Sequence, residues 1–282
     1  MKDIRVAAVC MNAVPGQIDQ NLGTIQSFIS KAADQGVRII CFPELSVTGY
    51  IIEKPETISP PSVFREASDR ILEMARLNGI TVLAGLIEST DEGTNPYITQ
   101  IVANQDGTLW KYRKTHLSPL ETRSYRAGEE IQVYQSSHLN FGIQLCYESH
   151  FPEMSTLMAL EGVEAIFMPH ASPRGTPLEK TDSWLRHLPS RAFDNGVYVI
   201  ACNQSSEIEE GGLSFPGVVL ALSPSGRILA KYSGRGQELV LVDLGAIELE
   251  EVRSHRMKYF LPNRRPELYS GIARPMRLNR FA

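Results

Sequence analysis

Strand-length apolar runs alternate with helical periodicity along the whole chain, a pattern that predicts a layered fold of the α/β (α+β) class. Residues 4–11 read as a strand, 20–35 as a helix stopped by Gly36, and 37–42 as a strand apolar on nearly both faces, as befits a central place in its sheet. A second helix is expected over 62–78, with Phe64, Ile71, Leu72, Ala75 and Leu77 on its apolar side and Gly79 at its end. Strands follow at 81–87, 97–103 and 109–113, the last two joined by an Asn-Gln-Asp-Gly turn at 104–107. Beyond a loop at 118–130 the alternation resumes with a strand at 139–145, a helix at 152–161 opened by proline, and a strand at 163–168. A helix over 180–195 should be kinked or divided by Pro189, and strands at 197–202, 217–222 and 239–242 complete the series. No low-complexity linker or short repeat interrupts it, so residues 1–282 read as a single domain ending in an aperiodic, Arg- and Pro-rich tail at 259–282.

With 43% hydrophobic residues over 282 positions, core size is not limiting. Lys and Arg number 28 against 32 Asp and Glu, a net charge of −4 with no long run of one sign, which argues against nucleic acid or an anionic membrane as partner. Cys10, Cys41, Cys146 and Cys202 lie far apart and form no Cys-x-x-Cys pair, so neither a zinc knuckle nor a disulfide framework is indicated. No metal and no cofactor is expected. The N-terminus lacks a continuous apolar core, and no stretch reaches the ~18 apolar residues of a membrane span; a soluble cytoplasmic protein is the expectation.

Three short segments carry the chemistry. In Phe42-Pro43-Glu44 a carboxylate follows directly on an apolar strand, where ligand crevices form in α/β sheets and where burial raises a carboxyl pKa toward that of a proton shuttle. In Tyr112-Arg113-Lys114-Thr115-His116, strand alternation puts Lys114 on the side of Trp110 and Tyr112, and Lys111 and Arg113 on the opposite, solvated side. A lysine on an apolar face needs a carboxylate or another polar partner. Cys146 ends a run in which Leu139, Phe141, Ile143 and Leu145 share one face, leaving Asn140, Gly142, Gln144 and Cys146 on the more polar one. Pro152 soon opens a helix, so the thiol is expected at a tight strand-to-helix connection whose N–H groups face a developing oxyanion.

In this order and with these flanks the segments resemble the nitrilase superfamily, the carbon–nitrogen hydrolases with a Glu-Lys-Cys triad. The similarity runs from Ile4-Arg5-Val6-Ala7 to Arg264-Arg265-Pro266-Glu267-Leu268-Tyr269 and includes Pro43-Glu44-Leu45 with Gly49-Tyr50, Tyr112-Arg113-Lys114-Thr115-His116-Leu117, and Cys146-Tyr147-Glu148 with Phe151-Pro152-Glu153. It implies a four-layer αββα sandwich, Cys146 as nucleophile in thiolate form, Glu44 as general base and acid, Lys114 beside the oxyanion with the Tyr147 N–H, and Glu121 orienting Lys114 or the substrate. It also implies pairing of subunits into a homodimer or higher homo-oligomer through the segment after Cys146 and the tail. Tyr50, Tyr147, His170 and Arg174 are the residues expected to contact substrate.

The expected reaction is hydrolysis of a small linear amide or N-carbamoyl amine through a thioester. Amidase members often read Cys-Tyr-Asp with an arginine two residues on, whereas Glu148 and His150 stand there in this chain. Nitrile-hydrolysing members more often carry tryptophan at the place of Tyr147. The alternatives are a nitrilase, a cysteine hydrolase with His116, His150 or His170 as base, and a non-catalytic subunit of the same fold.

Overall fold

The apolar runs form twelve strands and six α-helices among the residues that this computed structural model describes, 1–90, 94–206 and 213–273. In chain order they are β1 (Ile4–Cys10), α1 (Ile18–Ala33), β2 (Ile39–Cys41), α2 (Pro61–Asn78), β3 (Thr81–Glu88), β4 (Tyr97–Ala103), β5 (Leu109–Arg113), β6 (Val133–Gln135) and β7 (Asn140–Ile143). There follow α3 (Pro152–Leu160), β8 (Ala165–His170), α4 (Pro177–Leu185), α5 (Leu188–Asn195), β9 (Tyr198–Asn203), β10 (Gly217–Leu222), β11 (Ile228–Gly234), β12 (Glu238–Leu244) and α6 (Ala246–Ser254).

Two six-stranded sheets result, ordered β12-β1-β2-β3-β4-β5 and β11-β10-β9-β8-β7-β6. Each has three neighbouring parallel strands, β1-β2-β3 in one and β7-β8-β9 in the other, flanked by antiparallel ones. The two-residue period of the strands decides the layering. Ile4, Val6, Ala8 and Cys10 of β1 meet Tyr198, Ile200 and Cys202 of β9 between the sheets. Ala7 and Val9 point the other way, onto Leu22, Ile25 and Ile29 of α1 and Phe64 and Ile71 of α2. Across the second sheet, Ile166, Met168, Val199 and Ala201 pack on Met158, Trp184, Leu188 and Ala192 of α3, α4 and α5. Helix, sheet, sheet and helix layers are therefore stacked as αββα.

Some boundaries differ from the sequence expectation for local reasons. The helix expected at 180–195 is two, and α4 starts earlier because Thr176 caps it: the Glu179 N–H donates to Thr176 Oγ1 at 3.2 Å while the Thr176 N–H donates to Glu179 Oε2 at 2.8 Å. Pro189 lies in the first turn of α5, where its missing N–H breaks no bond. Strands β6 and β11 and helix α6 were not legible: β11 is an edge strand with half its residues exposed, and α6 buries only Leu249 and Val252. The described part of the tail makes short 3₁₀ turns at Leu261–Asn263, Pro266–Leu268 and Ser270–Ala273, with Leu261 reaching the helix-side core; the remainder of the expected tail, 274–282, lies outside the described residues.

The layers bring the carboxyl ends of β2, β7, β8 and β9 to one place between the sheets. One glycine is needed there. A Cβ at Gly85 of β3 would stand 2.3 Å from the Leu45 nitrogen and 3.0 Å from the Glu44 carbonyl carbon, so the loop after β2 lies directly on the β3 backbone. Its position is fixed by the Val47 N–H donating to the Gly85 carbonyl at 2.9 Å and the Gly85 N–H donating to Ser46 Oγ at 3.1 Å.

Candidate active site

Glu44 follows β2 by three residues and has no exposed surface; Lys114 follows β5 and is equally buried. Lys114 Nζ donates to Glu44 Oε1 at 2.7 Å and to Glu121 Oε1 at 2.9 Å. The other oxygen of each carboxylate accepts a backbone N–H, Ala171 on Glu44 at 2.9 Å and Ser118 on Glu121 at 2.7 Å. Burial pushes the Glu44 carboxyl up to about 7, with Lys114 pulling it down and Glu121 adding to the rise. Burial opposes charge on Lys114 too, but Glu44, Glu121 and Cys146 outweigh it and hold the ammonium well above the ordinary lysine range. The strand-face reading is right for this residue, whereas Lys111 and Arg113, expected to be simply solvated, both pair with Glu88 on the far face.

The strand reading does not carry to Cys146. β7 ends at Ile143, and Cys146 opens a 3₁₀ turn, Cys146–His150, with a φ of 45° that no alternation rule describes. Leu45, next to Glu44, and Arg174 share this left-handed backbone at φ 55° and 74°, and Cys146 and Arg174 both line the same cavity. Such strain persists only where the surroundings enforce it. Among the described residues the Tyr147 N–H has no hydrogen-bond acceptor. The thiol is half-buried: burial and then Glu44 raise its pKa, and the lowering by Lys114 does not cancel them.

Glu148 holds the turn in place. Its buried carboxylate accepts from Tyr112 Oη at 2.8 Å, the Thr115 N–H and Oγ1–H both at 2.7 Å, the His116 N–H at 3.2 Å and the Leu145 N–H at 2.6 Å. It therefore clamps the turn bearing Cys146 to the segment bearing Lys114. Sequence reading marked this position only as a departure from a common motif; the usable signal was a carboxylate within two residues of buried flanks.

A cavity of about 290 Å³ opens onto Cys146 and Glu121 and is also lined by Tyr50, Tyr147, His170 and Arg174, so every residue expected to contact substrate borders it. His170 is buried against Trp184, ring centroids 4.4 Å apart, and its Nδ1–H donates to the Met168 carbonyl at 2.7 Å. Arg174 is exposed. His116 stacks on Phe151 and His150 on His187, so the three histidines weighed as bases are each engaged elsewhere. Lys180 and His187 line the same cavity and carried no signal in the sequence: a lysine on a short helix is ordinarily solvated, and His187 lies in the connection between α4 and α5.

Replacing Glu148 by alanine should leave five donors, two of them fully buried, without their acceptor and cost at least about 3 kcal/mol. Urea unfolding reads this directly; an unchanged midpoint would show that the clamp contributes nothing.

A family model described as carbon–nitrogen hydrolase matches residues 5–256. Among relatives, a nitrilase of Pyrococcus abyssi is 28% identical over 270 residues, 94% of this chain and 99% of that protein. The omega-amidase NIT3 of Saccharomyces cerevisiae is 28% identical over 291 residues, 95% of this chain and 96% of that protein. Among solved structures, an amidase from Nesterenkonia sp. superposes with a TM-score of 0.83 at 26% identity, covering 95% of this chain and 96% of that one. A cysteine-to-alanine mutant of that amidase holds butyramide, and glutamate mutants of it carry acrylamide or the acetamide moiety of fluoroacetamide on the active-site cysteine. The match over most of its length, together with the three segments that meet at this cavity, makes the chain a member of the carbon–nitrogen hydrolase family.

Proposed function

We propose that this protein hydrolyses the C–N bond of a small linear amide or N-carbamoyl compound, with Cys146 as nucleophile, Glu44 as general base and acid, and Lys114 as the cation at the oxyanion. The observation that carries the reading is the buried ammonium of Lys114 between Glu44 and Glu121, beside a cavity that opens onto Cys146. No cofactor enters the scheme.

The thiol is protonated at rest, so its proton must leave as the sulfur attacks. Glu44, with its carboxyl near neutrality, takes that proton while Sγ bonds to the carbonyl carbon. Two of the three Nζ protons of Lys114 are spent on carboxylates; the third, with the free Tyr147 N–H, faces the oxyanion. As the tetrahedral adduct collapses, Glu44 returns its proton to the departing nitrogen and a thioester remains. Glu44 then deprotonates water, which attacks the thioester, and Cys146 leaves as the thiol. Glu121 holds the second side of Lys114, so the ammonium does not swing with Glu44 as that carboxylate gains and loses its proton. Tyr50, Tyr147, His170 and Arg174 shape the space that the rest of the substrate enters.

The reading also describes a single hydrolase domain over 1–282, in a reducing, cytoplasmic compartment. Four free thiols support the compartment, Cys41 and Cys202 lying 4.0 Å apart without a bond. A homodimer or higher homo-oligomer belongs to it as well, joined through the segment after Cys146 and the tail from 259. Exposed apolar side chains on both, Leu157, Leu160, Leu268 and Ile272, support that association.

If a thioester forms, hydroxylamine added with an amide substrate should divert product to a hydroxamate, and Cys146→Ala should abolish turnover while the protein stays folded. Faster turnover of the matching nitriles with no hydroxamate from any amide would overturn the amide reading. Because Glu44 works as a base only when ionised, kcat/KM should be highest above pH 7 and fall by roughly tenfold per unit well below it. A profile flat from pH 5 to 8 would remove Glu44 from that role. In sedimentation at micromolar concentration the protein should run well above the 31.4 kDa monomer, and a monodisperse monomer would refute the association.

A further inference from the structure

Beyond Cys146 the cavity is lined by groups of one electrical character. Among the described residues its only carboxylate is Glu121, already committed to Lys114 and the Ser118 N–H. The three histidines are held neutral: burial lowers His170 well below the usual range, burial and then the facing His150 push His187 down to about 4, and burial with nearby Arg191 lowers His150. Charge in the outer cavity therefore comes from Lys180 and Arg174 alone, and both are positive.

Lys180 is the better placed of the two. It stands in the second turn of α4 and is half-buried, and its Nζ donates to Ser172 Oγ at 2.7 Å and the Pro173 carbonyl at 3.3 Å. Both partners are neutral, and no carboxylate pairs with this ammonium among the described residues. One of its three protons is unspent. The platform beneath it is stiff: the Ser172 N–H donates to Asn203 Oδ1 at 2.8 Å, and Asn203 Nδ2 donates to the carbonyls of Ser172 at 3.1 Å and Pro216 at 2.8 Å. Immediately before it, the Ala171 N–H donates to Glu44. The ammonium is thus indexed through three consecutive residues to the group that moves the proton.

A partly desolvated cation with neutral partners and a fixed position is costly unless something negative arrives. We propose that Lys180 forms an anion subsite, and that the amides or N-carbamoyl compounds taken by this cavity carry a carboxylate at the end remote from the scissile C–N bond. Arg174 at the exposed mouth draws the same charge inward. A substrate with an ammonium tail, such as an N-carbamoyl diamine, meets two cations there and no free acceptor carboxylate, so the cavity discriminates against it as well as for the anion. This assignment rests on the reading of Cys146 as the nucleophile of an amidase.

The test compares three amides of one length, glutaramate, pentanamide and 5-aminopentanamide, by ammonia release. Wild-type kcat/KM should favour glutaramate over pentanamide by ~10-fold or more and place the cationic amide last. In Lys180→Met the glutaramate-to-pentanamide ratio should fall by ~10-fold, chiefly through KM for glutaramate, and Lys180→Arg should restore part of it. Wild-type preference for the neutral or cationic amide, or a ratio unmoved in Lys180→Met, would overturn the subsite while leaving the amidase reading intact. Failure to release ammonia from any of the three, with no hydroxamate formed, would instead overturn the amidase reading on which the subsite depends.

Discussion

A lysine ammonium with no exposed surface is tolerated in this interior only because two carboxylates face it, at 2.7 and 2.9 Å, and because each carboxylate satisfies its second oxygen on a backbone N–H. The two-to-one stoichiometry has a direct chemical result. One ammonium cannot neutralise two anions in a dry site, and the surplus negative charge is relieved by letting one carboxyl hold a proton near neutral pH. Glu44 is that one, and its raised pKa follows from burial and the count of charges around it. A carboxyl balanced in this way gives and takes a proton at little cost, which is what a shuttle between thiol, leaving nitrogen and water requires.

The same constraint explains why the site is assembled from so many elements. Glu44 comes from the end of β2, Lys114 from the end of β5 and Cys146 from the end of β7, so the three belong to two different sheets. No single strand could present them together. Contacts that look incidental serve to register the sheets: the missing Cβ at Gly85 lets the Glu44 loop rest on β3, Gln204 Nε2 donates to the Glu44 carbonyl at 2.8 Å, and the Glu148 carboxylate gathers donors from both the lysine and the cysteine segments. Left-handed backbone at Leu45 and Cys146 is the residual strain of bringing these ends to one point.

Much of this was legible in the sequence, and the failures are instructive. The apolar runs located most of the strands, β1 among them, and strand alternation put Lys114 on the side of Tyr112 and away from Lys111. It failed at Cys146, because a periodic rule says nothing about a residue three past the end of its strand with φ at 45°. Resemblance located the cysteine where periodicity misdirected it. In the edge strand β11 the inward residues Ala230 and Tyr232 are only partly buried while Ile228 and Leu229 are exposed, which blurs the apolar pattern. Lys180 was invisible for a related reason: its significance lies in what is absent around it in space, and sequence neighbours do not report that.

Among the described residues the first strand pairs with the last. β1 lies against β12 from Ile4 opposite Leu244 to Cys10 opposite Glu238, and Val242 and Leu244 complete the core between the sheets. During synthesis, Glu44, Lys114 and Cys146 therefore emerge long before the strand that closes the first sheet. A nascent chain ending short of residue 238 has an open β1 edge and a core lacking its last layer, so the sheets that hold the three groups in register are unfinished. Acyl-transfer chemistry is withheld by topology until β12 has been made, and a shorter nascent chain carries only an ordinary, unaligned cysteine.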